Sequence, residues 1–199
     1  MTIEALLPLI LFALVSTITP GGATTLATAS GAHFGFRRSI PVIAGCAVGL
    51  GSVACAAAAG LGSLLMALPA LQVAMKTLGS LYMLWLAVRI GRSGPPRMSR
   101  EMAKPTGFVA GVGMLWYNPK GWAMTVGAAA SFATLAGSPA SLAILLGLTF
   151  CVIAGFSLTI WCALGQLLAR LLKTERQWRA LNFLLACLLV ISIIPMWIR

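Results

Sequence analysis

Two short segments of this 199-residue chain hold the groups best placed to do chemistry: Thr19-Pro20-Gly21-Gly22 and Asn118-Pro119-Lys120. In each, a residue with a side-chain oxygen stands directly before a proline, the order that starts a helix. Proline costs nothing at a first helical turn, because the amide there has no partner within the helix. Thr19 and Asn118 are expected to cap the amides that follow them. Gly21 and Gly22 remove side chains and let a solute approach the backbone closely. A helix start offers unpaired N–H groups and the positive end of the helix dipole, a seat for a carboxylate. Lys120 adds a full positive charge beside the second break. The chemistry indicated is recognition of an anionic group.

Both breaks fall inside long apolar stretches. Apolar residues make up 60% of the chain and charged residues 9%, against about half and a quarter in an ordinary soluble domain. Six stretches, roughly 3–30, 40–66, 70–90, 107–133, 140–168 and 179–198, are long enough to cross about 30 Å of hydrocarbon. The second, around Ala54 to Gly60, is the least hydrophobic of the six. Glu4 and the lack of a basic run near the start argue against a cleaved signal peptide. A bilayer tolerates broken backbone hydrogen bonding only where protein buries it or a watery cavity borders it. Interruptions at corresponding places in two halves are the sequence mark of a transporter's binding site. The plainer reading of either proline is a packing kink. A lysine at the centre of a membrane helix costs about 2.5–3.5 kcal/mol on insertion scales and is a functional candidate by default. Its plainer reading is a side chain that snorkels to an interface.

Charge placement sets the expected topology. Arg37 and Arg38 follow the first stretch, Arg89, Arg92, Arg97, Arg100 and Lys104 the third, and Arg170, Lys173, Arg176 and Arg179 the fifth. The connections near Leu68-Pro69 and Ala136 to Pro139 carry none. Basic loops stay inside, so both termini are expected outside. The chain thus reads as an all-α integral membrane protein, a single transmembrane domain of six helices in two inverted three-helix repeats. The first and fourth helices are broken. Repeat 1 covers about 1–94, a basic linker about 95–106, and repeat 2 about 107–199. Three crossings per repeat is an odd number, so the second copy enters the membrane from the opposite side.

Other classes fit poorly. The net charge of +11 lies in loops rather than along one stripe with interleaved aromatics, which argues against nucleic acid. Cys46, Cys55, Cys151, Cys162 and Cys187 form no C-x-x-C pair and read as small buried residues. With one histidine, His33, and three acids, Glu4, Glu101 and Glu175, the ligands of a metal site or cofactor and the nucleophile–base pair of an enzyme are missing. His33 reads as an interfacial residue, and Trp178 and Trp197 as interfacial anchors of the last span. Gly45-x-x-x-Gly49 and Gly107-x-x-x-Gly111 fit close helix packing within a protomer or in a homodimer.

The chain resembles the LysE/RhtB superfamily of bacterial amino-acid exporters. The likeness rests on Thr19-Pro20-Gly21, on Lys76-Thr77-Leu78-Gly79-Ser80-Leu81-Tyr82-Met83, and on Phe108-Val109-Ala110-Gly111 leading to Asn118-Pro119-Lys120. The resemblance implies efflux of amino acids or related metabolites across the cytoplasmic (inner) membrane, driven by the proton gradient. It also implies a part in coupling or gating for Lys76 and Tyr82; the plainer reading of Lys76 is a snorkelling side chain. This chain departs from the family pattern at Gly22-Ala23, where relatives usually have proline and often asparagine. It departs again at Gly51-Ser52-Val53, where some carry an acid. No span interior holds an acid, so a neutral or zwitterionic solute is expected ahead of a cationic one. Thr19, Pro20, Gly21, Gly22, Asn118, Pro119 and Lys120 are the expected substrate-binding residues. A passive channel, an exporter of another solute class such as a cation, and a purely structural subunit are the rival readings.

Overall fold

The helix Pro139–Leu171 shows on its own why this chain belongs in lipid. Leu142, Leu146, Phe150, Ala154, Leu158 and Cys162 recur every four residues and are buried in the core. Ile144, Leu148, Val152 and Phe156 recur at the same interval on another face and are exposed. A helix that is apolar on every side suits a bilayer, where the outward face meets hydrocarbon. Ser138 starts this helix by accepting from Ser141 N (3.2 Å), with Pro139 at the first position.

The computed structural model describes residues 3–61, 67–92, 105–191 and 193–197. Helix α1 (Ile3–Ile18) breaks at Thr19-Pro20, and α2 (Gly22–Phe34) leaves at a bend of 60°. After the single residue Gly35, at φ 77, α3 (Phe36–Ala56) runs into a π turn (Ala57–Leu61) whose Gly60 has φ 103. Both glycines hold a backbone conformation that L side chains rarely adopt. Helix α4 (Pro69–Arg92) follows. The second broken pair is α5 (Phe108–Trp116) and α6 (Pro119–Ser131), then come α7 (Pro139–Leu171), α8 (Glu175–Ile191) and the short α9 (Ile194–Trp197). The linker 93–104, with Arg97, Arg100 and Lys104, lies outside the described residues, as do Arg199 and the end of the second predicted stretch at 62–66.

Among the described residues two helices are long and apolar enough to cross a membrane, Phe36–Leu61 and Pro139–Leu171, and the bent α1–α2 pair makes a third. The second predicted stretch, read as the least hydrophobic, is therefore one of the best formed. Its run of alanine and glycine looks weak in sequence, yet Val53 and Ala54 are fully buried and Ala57 is buried, while Ala59 and Gly60 at its end are exposed.

The core is built by small residues that let backbones touch. Gly45 and Gly49 of α3 face Phe108 and Val112 of α5, and Gly111 of α5 faces Val42 and Cys46 of α3. These pairs run in the same sense along both chains, so α3 and α5 are parallel. Ala47 faces Gly155 and Gly51 faces Gly147, which makes α3 and α7 antiparallel. Gly31 of α2 meets Cys162 of α7, and Gly165 meets Thr28. The glycine pair of α3 thus packs within the chain, whereas Gly107 has nothing near its missing side chain. A side chain at Gly45 would collide with the carbonyl of Phe108. Gly45→Val should therefore cost at least about 1–3 kcal/mol, read as a lower thermal midpoint of the purified protein in detergent, while the same change at Gly107 should leave it near wild type.

Candidate functional site

A helix that stops inside a membrane leaves its last carbonyls without partners, and each must be met by some donor. At the end of α1, Thr19 uses its own groups backwards. Its N–H and hydroxyl both donate to Val15 O, at 3.3 and 2.6 Å. The next carbonyls are met by side chains from the second half of the chain. Ser157 Oγ of α7 donates to Thr17 O (3.0 Å), and Trp161 Nε1, one turn on, donates to Ile18 O (3.2 Å). Lys120 Nζ of α6 donates to both Thr19 O (3.0 Å) and Pro20 O (3.3 Å). The ammonium thus sits on the negative end of the α1 dipole.

The start of α2 is arranged differently from the expectation. Thr19 does not cap it, because its hydroxyl is committed to α1. Gly21 stands at the cap position in an extended conformation, and Thr24 supplies the hydroxyl. Gly21 N donates to Thr24 Oγ1 (2.8 Å), which in turn can donate to Gly21 O (2.9 Å). A threonine three residues inside the helix reaches the cap's amide, whereas one two residues before it points the wrong way. The second break follows expectation: buried Asn118 accepts from Lys120 N at 3.1 Å with Pro119 at the first position. Trp122 Nε1 closes the end of α5 by donating to Trp116 O (2.8 Å), and Trp116 Nε1 donates to Ser52 Oγ (3.0 Å).

The two breaks therefore meet. A Cβ built on Gly21 would lie 3.3 Å from Lys120 Nζ, and one on Gly22 would lie 2.7 Å from Met114 Cε. Helix α4 braces the meeting point, since Gly79 abuts the carbonyl of Tyr117 and the ring of Pro119. Between the breaks lies a cavity of about 40 Å³. That is room for about three waters. Its polar lining includes Thr17, Thr19, Gly21, Thr24, Asn118 and Lys120, and its apolar lining includes Cys46, Leu50, Leu115, Met124 and Leu158. Of the residues expected at a site, Thr19, Gly21, Gly22, Asn118 and Lys120 line the cavity, while Pro20 and Pro119 shape the breaks from behind it. Lys76 and Tyr82 do not line it. Tyr82 is half-buried with its ring 5.7 Å from Trp85, and Lys76 is half-buried on the same helix.

One aromatic assignment is corrected. Trp178 is buried rather than interfacial, with its ring 5.5 Å from His33. His33 is held by α8 as well, its Nε2 lying 3.3 Å from the Oδ1 of fully buried Asn182. Trp197 is exposed but its Nε1 donates to Ser80 Oγ (3.0 Å), tying α9 to α4.

Ser157 and Trp161 are the site residues that sequence reasoning missed. They share one face of α7 at a spacing of four, yet no proline or glycine marks them. Ser157→Ala should leave the Thr17 carbonyl buried without a partner. The expected cost is about 1–3 kcal/mol, measured as a fall in the thermal midpoint, with Ser157→Thr restoring most of it.

Comparison with known proteins identifies the family. The family model described as LysE type translocator matches residues 14–192. The cysteine/O-acetylserine efflux protein of Escherichia coli strain K12 is 31% identical over 179 residues, covering 90% of each chain. Proteins of the same description in Salmonella typhi and Salmonella typhimurium strain LT2 are 30% identical over the same share. No solved structure matches the chain. The chain belongs to the LysE type translocator family, and is a membrane transporter rather than an enzyme.

Proposed function

We propose that this transporter exports a small neutral or zwitterionic amino acid across the cytoplasmic membrane, binding it in the cavity where the two breaks meet. The observation that carries the reading is the Lys120 ammonium on the Thr19 and Pro20 carbonyls, which puts a cation of the lining between the half-helices. A carboxylate entering the cavity finds that charge together with the first amides of α2 and α6. The apolar wall of Cys46, Leu50, Leu115 and Met124 suits a short side chain. The relatives' substrates, cysteine and O-acetylserine by their names, are of this kind. Thr19, Gly21, Gly22, Asn118 and Lys120 contact the solute, and Pro20 and Pro119 hold the break geometry.

The substrate path follows from two inverted three-helix repeats with both termini outside. Support comes from helix directions: α3 runs parallel to α5 and antiparallel to α7, as alternate crossings demand, and the basic residues cluster on alternate connections. A cavity for three waters is too small for an amino acid, so the repeats must move apart on one side and then the other for a solute to pass. The proton gradient drives the export. Lys76 and Tyr82, away from the cavity on α4, act in coupling or gating rather than in binding.

Purified protein in liposomes loaded with unlabelled cysteine, under reducing conditions, should take up labelled cysteine by exchange in a saturable manner. An imposed pH gradient should accelerate net movement. Lys120→Ala should reduce exchange per inserted molecule at least about tenfold. Cells overproducing the wild type should tolerate excess cysteine better. Unsaturable flux without exchange would indicate a channel, and normal exchange in Lys120→Ala would remove the lysine from the binding site.

A further inference from the structure

We infer that the carbonyls of Thr19 and Pro20 form the subsite for the substrate's α-ammonium, and that Lys120 occupies this subsite in place of the substrate while the cavity is empty. The inference rests on the amino-acid reading above. A zwitterion brings two charges, and the lining shows a partner for only one of them. Lys120 and the helix starts receive the carboxylate, but among the described residues no aspartate or glutamate lines the cavity to receive the ammonium. An ammonium taken from water needs acceptor oxygens in its place. The end of α1 supplies them, and the structure already holds one ammonium there, Nζ at 3.0 Å from Thr19 O and 3.3 Å from Pro20 O.

The other polar oxygens nearby each already make a hydrogen bond within the protein, although a hydroxyl that donates keeps its lone pairs. Thr17 Oγ1 donates to Ala13 O (2.8 Å), Asn118 Oδ1 accepts from Lys120 N, and Thr24 Oγ1 closes the turn at Gly21. Thr17 O and Ile18 O are satisfied by Ser157 and Trp161 from α7. Thr19 O and Pro20 O are held by a long flexible side chain that a carboxylate can draw away. They are the carbonyls of this end that can be released without breaking a helix contact. On binding, the substrate carboxylate pairs with Nζ and the substrate ammonium takes over one or both carbonyls. No proton needs to move, and the cavity keeps its net charge of plus one.

This exchange makes Lys120 a selector as well as an anchor. A carboxylate without an amine leaves the carbonyls bare when it pulls the lysine off them. An amine without a carboxylate must displace an ammonium already seated there and then stay beside it. Both halves of the zwitterion are needed.

The test uses the full chain in liposomes and the exchange of labelled L-cysteine, with unlabelled L-cysteine, 3-mercaptopropionate (no amine) and cysteamine (no carboxylate) as competitors under reducing conditions. In the wild type both analogues should compete at least about tenfold less well than cysteine, a loss of about 1.4 kcal/mol or more. In Lys120→Gln the order should change: cysteine weakens, while cysteamine competes better than it does against wild type because its carbonyl seat is now open. If 3-mercaptopropionate competes with wild-type exchange as well as cysteine does, the ammonium subsite is refuted, whether or not the variant folds. Uniform weakening of every competitor in a folded Lys120→Gln also overturns the inference, leaving the lysine a plain carboxylate anchor and the exporter reading intact. If wild-type protein exchanges neither cysteine nor O-acetylserine above empty liposomes, the amino-acid reading fails and the inference falls with it.

Discussion

Every feature of the site answers one requirement: backbone carbonyls at a helix end inside a bilayer must find donors within the protein. Where α1 stops, Ser157, Trp161 and Lys120 supply them. These donors come from α6 and α7, far along the chain, and the break therefore fastens the two halves to each other. Two of the donors are neutral and fixed on a long helix. The third is a charge on a flexible stem, and it is the one that borders the cavity. A requirement of folding thus places a mobile cation where a solute can reach it.

The close glycine contacts make this possible. Gly79 of α4 admits the carbonyl of Tyr117 and the ring of Pro119, and Gly31 and Gly165 bring α2 and α7 together further along α2.

Much of this was legible in the residues. The helix breaks at Thr19-Pro20 and Asn118-Pro119 announce themselves because a proline directly after a capping residue type has few other uses within an apolar run. Helix limits are close to expectation for the same reason: α7 begins at Ser138-Pro139 and ends at the basic Arg170. What stayed hidden depends on tertiary contact. Thr19 has the right type for a cap, but its hydroxyl turns back to donate to the carbonyl of Val15. Ser157 and Trp161 look like ordinary helix residues until the end of α1 arrives beside them. Trp178 reads as an interface anchor by its place before the last span, and only the approach of His33 from α2 shows it to be interior. The alanine-rich end of α3 looked weak because small residues score poorly in isolation while packing well in company.

The most direct test is the distance between the Lys120 ammonium and the carbonyl of Thr19, the one threonine followed by proline. Solid-state NMR on the protein in bilayers, with ¹⁵N on lysine Nζ and ¹³C on the threonine carbonyl, can read it without added solute. With Nζ at 3.0 Å from the oxygen, the nitrogen and carbon should lie within about 4 Å, given a C=O bond of about 1.2 Å. A separation well beyond hydrogen-bond reach would contradict the account, because the breaks would then close without the lysine.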